Sequence, residues 1–254
     1  MLRLWADFHV HTCLSPCADD AMTPRAVVET ALGRGLSLIA ICDHNSAENV
    51  ESAVLAAESL PLSVLPGMEV TSAEEVHVLG IFESPKSALA LQEIVYKHLT
   101  PGRNDERLFG YQFVVDQYDY VTSENERLLT GATDLSIDQV VESIHDLGGL
   151  AIASHIQRER FGLLYQLGFV PDSLSLDAVE LTSKTTLKEV GDRFGCSLEF
   201  PVVYDSDAHF MEDIGKLRTE FAVLAPTFSE IALALRGAEG RQIVTSAIEH
   251  LQNG

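Results

Sequence analysis

Nine histidines are spread along the 254 residues, and six of them stand at or beside the carboxyl end of a short apolar run. Neutral imidazole is the commonest metal ligand among side chains, so the pattern points to metal chemistry assembled from remote parts of the chain. The densest motif is Asp7-Phe8-His9-Val10-His11-Thr12. In an extended strand residues i and i+2 share a face, so His9 and His11 project together while Phe8 and Val10 pack behind them. Asp7 is then placed to orient one ring from the rear. Ser206-Asp207-Ala208-His209 repeats the i, i+2 arrangement near the other end of the chain. Asp43-His44 closes another apolar run, with His44 as a ligand. Asp43 supports it, binds metal itself or caps the helix that starts near Ser46. Pro66-Gly67-Met68-Glu69 follows a further run. A glutamate there can bridge two cations through its two oxygens, as hydrolytic sites with ions ~3.5–4 Å apart require. His77 and His155 are single histidines bordered by apolar residues, whereas His98, His145 and His250 lie away from run ends and read as ordinary helix-surface residues.

The elements that must position these groups follow from periodicity. Strands are expected over residues 4–10, 37–42, 62–65, 76–82, 150–154, 178–181, 201–204 and 220–224. Helical spacing of apolar residues three and four apart covers 23–34, 46–59, 136–147, 229–236 and 242–251. Thr23 followed by Pro24, Ser46 and Ser136 supply helix-start signals, and Gly148-Gly149 a stop. Strands alternating with helices imply parallel βαβ units with right-handed crossovers, and a closed or nearly closed barrel is favoured over an open sheet. In such a barrel the active-site loops gather at the carboxyl ends of the strands, so histidines remote in sequence meet there. Residues 98–133 break the rhythm with Phe109, Tyr111, Phe113, Tyr118 and Tyr120. They form an excursion, a lid or an oligomer contact, within one domain spanning 1–254.

Composition narrows the classes. Hydrophobic residues make up 46% and charged residues 22%, the balance of a folded globular chain rather than a disordered or fibrous one. Apolar stretches are far shorter than a membrane span, so no membrane partner is expected. The opening MLRLWADFHV lacks the form of a signal peptide, and four cysteines without paired spacing suit a reducing compartment; the expected location is the cytoplasm. Thirty-eight acids against 17 bases give −21, with no basic run of even three residues. Binding a long nucleic acid needs many phosphates neutralised by Lys and Arg, so long nucleic acid is not an expected partner. A small phosphorylated substrate remains compatible if the site brings its own cations, and divalent metals are the obvious source.

The ordered motifs DFHVHT, ICDHN, PGMEVTS with HVLGIF, ASHI and SDAH, spanning positions 7 to 209, resemble those of the polymerase and histidinol phosphatase (PHP) family. The run from His11 to Asp19 and the excursion before ASHI are similar to an uncharacterised bacterial subgroup of it. The resemblance implies an α/β fold, a distorted seven-stranded (β/α)7 TIM-like barrel. It also implies two or three divalent ions at the carboxyl-end rim, a trinuclear site when full, and metal-dependent phosphoester hydrolysis. Carried across, His9, His11, Glu69 and Asp207 hold one ion. Glu69 bridges to a second held with His77 and His155, and His44 and His209 hold the third. Where the family often places another histidine, this chain has Cys17. Thiolate is a good zinc ligand, so Cys17 completes the third site, or Asp19 or Asp20 substitutes, or that site is weak. Mixed imidazole and carboxylate donors suit Zn, Mn or Fe.

The expected reaction is attack by a metal-bridging hydroxide on phosphorus, with no covalent nucleophile. Arg158, three residues beyond His155, is the first candidate to grip phosphate, since guanidinium binds it bidentately; Lys184 is the second. His209 is also considered as proton donor to the leaving group, although ligation leaves it little freedom. The substrate expected is a small phosphomonoester, a mononucleotide or a small phosphodiester. The alternatives are an exonuclease on short oligonucleotides and a non-catalytic metal-stabilised binding module.

Overall fold

Four-residue runs such as Leu-Ile-Ala-Ile and Leu-Ala-Ile-Ala are buried along their whole length, which marks strands covered on both faces. In the computed structural model, which describes residues 1–244, the chain runs β1 (Leu2–Val10), α1 (Pro24–Gly33), β2 (Leu38–Ile41), α2 (Val50–Ala57), β3 (Ser63–Thr71), β4 (His77–Ile81) and α3 (Pro85–His98). It continues with α4 (Glu106–Phe109), β5 (Phe113–Val115), β6 (Val121–Glu124), α5 (Ile137–Asp146), β7 (Leu150–Ala153), α6 (Leu163–Leu167) and β8 (Ala178–Leu181). The remainder is α7 (Leu187–Phe194), β9 (Val202–Tyr204), β10 (Thr219–Val223), α8 (Phe228–Leu235) and β11 (Gln242–Ile243).

The main sheet has nine strands, not seven, in the order β11-β10-β1-β2-β3-β4-β7-β8-β9. It curls until the segment after β9 meets the end of β1: Val10 bridges Ala208, the His11 amide donates to the Ala208 carbonyl and the Ala208 amide to that of His9, each at 3.0 Å. The first half of β1 pairs instead with β10, from Leu2 opposite Val223 to Ala6 opposite Thr219, and β11 extends that edge. One strand thus changes partner halfway along, which leaves a nearly closed barrel with a two-stranded flap.

The expectation of uniformly parallel units also needs correction. β3–β4 and β4–β7 are antiparallel. Only a tight turn, closed by the Ser72 amide on the Val76 carbonyl at 2.9 Å, separates β3 from β4. A parallel connection needs a crossover of a dozen or more residues.

Two apolar layers result. Leu4, Ala6, Phe8, Leu38, Ala40, Leu79, Ile81, Leu150, Ile152, Ala178 and Val203 form one cluster on the inner face. Val10, Ile39, Ile41, Val78, Ala151, Ala153 and Val179 face outward to helix residues such as Val27, Val28, Leu91, Val140 and Ile144.

The local signals fared unevenly. Ser136 and Gln139 form a reciprocal capping box on α5. Thr23 stands at the N-cap of α1 with Pro24 next, but its hydroxyl makes no capping bond. Ser46 caps nothing: α2 begins four residues later behind Asn49, and the Ser46 hydroxyl bonds Gln92 and Tyr96. The helix expected from 242 is a strand where described, and residues 245–251 of it lie outside the described residues. The excursion holds α4 and the β5–β6 hairpin and is fastened to the barrel mouth by two asparagines. Asn45 Nδ2 donates to the carbonyls of Leu129 and Gly131 at 2.8 and 2.9 Å. Asn49 donates to the Phe113 carbonyl at 3.0 Å and accepts from the Val115 amide at 2.8 Å. Among the described residues no helix is long and apolar enough to cross a membrane.

Candidate metal centre

A bulge in β1 aims the first pair of histidines. Its register against β2 slips between Asp7, opposite Ile39, and Val10, opposite Ile41, so β1 carries one extra residue there. A one-residue slip exchanges the faces of a strand. Leu4, Ala6 and Phe8 therefore point inward below the bulge, and His9 and His11 point into the barrel mouth above it. Phe8 lies beneath the rings in the inner cluster, and Val10 alone packs behind.

Glu69 is the hub. It lies within β3 rather than in a loop beyond it, because that strand runs on to Thr71. The end of β2 continues beside it, with the Glu69 amide donating to the Asp43 carbonyl at 3.0 Å and the Asn45 amide to the Glu69 carbonyl at 2.8 Å. Close approach of β3 to β2 requires Gly67, where a Cβ would fall 2.6 Å from Cys42 Sγ and 2.9 Å from the Ile41 carbonyl oxygen. Around the carboxylate, Oε1 lies 2.8 Å from His77 Nδ1, 3.2 Å from His155 Nε2 and 3.2 Å from His9 Nε2. Oε2 lies 2.9 Å from His44 Nδ1 and 3.6 Å from His11 Nε2. Asp207 Oδ1 reaches His9 Nε2 at 3.2 Å and His11 Nε2 at 3.1 Å. Three groups of donor atoms close enough to hold an ion emerge: His9–His11–Glu69, His44–Glu69–His77 and His11–His44–His209.

Hydrogen-bond bookkeeping argues that these donors fit cations. His9 Nδ1 faces Glu180 Oε2 at 2.7 Å, and a carboxylate only accepts, so that nitrogen carries the proton and Nε2 the lone pair. The Ser15 hydroxyl donates to Asp43 Oδ1 at 2.7 Å and accepts from the His44 amide, so it also accepts from His11 Nδ1 at 2.9 Å. His11 Nε2 is then a lone pair as well. The two Nε2 atoms are 3.1 Å apart and fully buried, beside two carboxylates. Such an arrangement is repulsive until a cation enters. His155 Nδ1 is buried without a hydrogen-bond partner. Without metal, a proton plays the cation: burial opposes it, yet Glu180, Asp207 and Glu69 raise His9 well above the usual imidazole range. Burial and its cationic neighbours depress His11. Burial brings His77 down to about 4. Burial alone would raise Glu69 and Asp207, but the surrounding imidazoles hold both well below the carboxylate range.

The solvent side holds the remaining candidates. His44 and His209 are partly exposed, and the Cys17 thiol belongs to the loop whose Asp19 amide donates to the His209 carbonyl at 2.9 Å. Burial would raise that thiol, but the two imidazoles outweigh it and bring it to about 6. His209 Nδ1 donates to the Asp207 carbonyl at 2.9 Å, which leaves one nitrogen for the group with His11 and His44. Arg158 Nη1 donates to Asp207 Oδ2 at 2.6 Å with its side chain 43% exposed. Lys184 is exposed on the loop after β8, next to Ser183, whose hydroxyl accepts from Gln157 Nε2 at 3.2 Å. His98 and His145 stand apart, paired with Asp134 and Asp177.

The groups behind the donors differ from the expectation. Asp7 orients no ring. Its carboxylate takes the Ser206 amide and hydroxyl and the Gly215 amide, so it secures the turn that carries Asp207; burial lifts it to about 6. Asp43 binds the Thr12 amide and hydroxyl as well as Ser15, and so acts behind His11 rather than His44. Sequence reasoning missed Glu180, although a glutamate inside the buried run Ala-Val-Glu-Leu was a signal, and it missed Ser15 and Phe161. The Phe161 ring stacks on His77 with centroids 4.3 Å apart. His155 and Asp207 adopt left-handed backbone with φ of 29° and 50°, conformations that cost about 1–3 kcal/mol each and gather at functional sites.

Residues 7–195 match the family model described as PHP domain, and residues 192–239 the one described as PHP-associated. The chain is 25% identical to the uncharacterized protein YqxK of Bacillus subtilis over 267 residues, 97% of this chain and 65% of that protein. It is 28% identical over 92 residues to a 5'-3' exoribonuclease of Haemophilus influenzae, 34% of this chain and 32% of that one. The lesion-specific endonuclease PfuEndoQ of Pyrococcus furiosus shares the fold with a TM-score of 0.75 at 21% identity, covering 95% of this chain and 58% of its own. An Endonuclease Q complex with a 27-mer duplex bearing an abasic lesion gives 0.73 at 20% identity, with the same coverages. This chain therefore spans only 32% to 65% of the length of these proteins. A duplex seated on this fold overturns the expectation that long nucleic acid is excluded. Net charge belongs to the whole surface, whereas a polyanion meets only the rim it touches, where bound cations set the field.

Proposed function

The chain belongs to the PHP-domain family, and from that premise we propose that it is a metal-dependent phosphoester hydrolase acting at the barrel mouth. The observation that carries this reading is the pair of buried Nε2 lone pairs on His9 and His11, 3.1 Å apart beside Glu69 and Asp207. In the assignment, His9, His11, Glu69 and Asp207 hold one ion, Glu69 is shared with a second at His77 and His155, and His44, His209 and Cys17 take a third. Zn, Mn and Fe all suit this donor set, and the thiol tilts the third position toward Zn. Divalent ions in such a site supply Lewis acidity at a phosphoryl oxygen and lower the pKa of water from about 15.7 toward neutrality.

The chain's own residues do the rest. Arg158 reaches the rim from the loop after β7, and its guanidinium presents further N–H groups beyond the one given to Asp207, to hold a phosphoryl oxygen. Lys184 adds a second, more distant charge. His209 is a ligand rather than a leaving-group acid, because its Nδ1 proton is engaged by the Asp207 carbonyl.

The first substrate class to test is a nucleic-acid phosphodiester, which the exoribonuclease and endonuclease relatives support. A small phosphomonoester is the second reading, favoured by the scarcity of bases in a chain of net charge −21. Metal analysis of the purified protein, with turnover of bis-p-nitrophenyl phosphate, p-nitrophenyl phosphate and a labelled oligonucleotide, separates them. Metal-replete protein inert on all three is a binding module, and the hydrolase reading falls. Arg158→Ala is expected to lower kcat/KM about tenfold to a hundredfold, the worth of a hydrogen bond to a charged group; an unchanged value removes Arg158 from the substrate site.

A further inference from the structure

Glu180 has one carboxylate and two clients on different strands. Oε2 accepts from His9 Nδ1 at 2.7 Å, and Oε1 accepts from the His155 amide at 3.0 Å. The first client belongs to β1 and the second to the end of β7, while Glu180 itself sits in β8 and is fully buried. The Ile156 amide donates to the Glu180 carbonyl at 3.2 Å, so the backbone of the same residue holds the turn that its side chain caps. That turn needs holding, because His155 has a left-handed φ of 29° and no glycine to relieve it.

We propose that Glu180 is a positioning residue that clamps His9 and His155 together, fixing the tautomer of one and the backbone of the other, and so couples two ion positions. The proposal rests on the hydrolase reading above and deepens it. Glu180 touches no donor atom that faces the ions; it acts through His9 by keeping a proton on Nδ1, so that Nε2 is the nitrogen left to face an ion. It acts through His155 by fixing the strained turn, so that Nε2 stays 3.2 Å from Glu69 Oε1. A carboxylate is required rather than an amide, since both clients are donors. In Glu180→Gln one of the two contacts must fail. If the amide NH2 faces His9, it drives the proton to Nε2, the atom that faces the cluster; if it faces His155, two N–H groups meet.

The test measures zinc binding to metal-stripped wild type, Glu180→Gln and Glu180→Asp by chelator competition, without substrate. Nitrogen-15 NMR of the His9 ring in the zinc-loaded proteins accompanies it. Partners behind metal-bound imidazoles are worth about 10–100-fold in affinity. Glu180→Gln is expected to weaken by that factor the ion behind whichever contact fails, with the Nδ1–H signal of His9 lost only when the failed contact is its own, and to spare the ion at His44, His209 and Cys17. Cobalt substitution reports the spared ion through its thiolate charge-transfer band. Glu180→Asp keeps the charge but withdraws it by one methylene, and it is expected to retain the tautomer while weakening both ions; it serves the same comparison should the glutamine variant fail to fold. Affinities within twofold of wild type in both variants, or loss confined to one ion in Glu180→Asp, overturn the clamp alone. A wild type that binds no zinc overturns the clamp and the hydrolase reading together.

Discussion

On the barrel side of the centre, His9 and His11 each have their far nitrogen answered by a buried acid, Glu180 directly and Asp43 through Ser15. On the solvent side, His44 Nδ1 meets only the shared Glu69 carboxylate, at 2.9 Å, and His209 Nδ1 the local backbone of Asp207. The first half is held by strands that cannot move without disturbing the core. The second hangs on loops. The difference teaches that one cluster can combine a preorganised floor with an outer wall whose geometry depends more on what occupies it.

Removing the hub gives the largest effect. Glu69→Ala deprives both halves of their common carboxylate. We expect loss of at least two ions by elemental analysis and a fall in kcat/KM above the roughly 100-fold upper figure for groups behind ligands. An equal metal content in the variant would break the picture of one hub serving both halves.

The cysteines give a subtler contrast. Cys13, buried against the excursion at Phe113, has its thiol pushed up to about 12 by burial, whereas Cys17 on the outer half falls to about 6. In metal-free protein Cys17 is therefore mostly thiolate at pH 7. Its iodoacetamide rate is expected to level off above about pH 7 and to drop toward tenfold per unit below pH 6, as protonation removes the nucleophile. Cys13 should stay inert throughout. Added zinc is expected to protect Cys17; alkylation unaffected by zinc would detach the thiol from the outer wall.

The smallest expected effect sharpens the claim that the floor is rigid. Gly67→Ala places a methyl against Cys42 Sγ and the Ile41 carbonyl, and overpacking of this kind costs about 1–3 kcal/mol. Urea denaturation of the metal-free proteins reads it, and an unchanged midpoint would mean that β3 yields beneath Glu69.

How far these features were legible depends on the range over which each is set. The α5 capping box and the strands at Leu-Ala-Ile-Ala and Ala-Val-Glu-Leu are local and were readable. Equally local are the starts of α3 at Ser84-Pro85 and of α7 at Thr186 and Glu189. The β1 bulge was not, because alternation in Asp-Phe-His-Val-His looks regular until β2 shows one residue fewer across from it. Asp7 misled for a related reason. It precedes His9 by two, yet its partners come from Ser206 and Gly215.

What the linear chain determined by itself is the kind of chemistry: imidazoles, carboxylates and a thiol placed where apolar runs end. A run must stop being apolar where it leaves the core, and that rule is written residue by residue. Which atoms face each other was decided only on folding. The antiparallel return of β4, the closure of Ala208 onto Val10 and the grip of Glu180 on His9 all depend on distances between segments far apart in sequence, and hydrogen bonds and charges act over those distances through space.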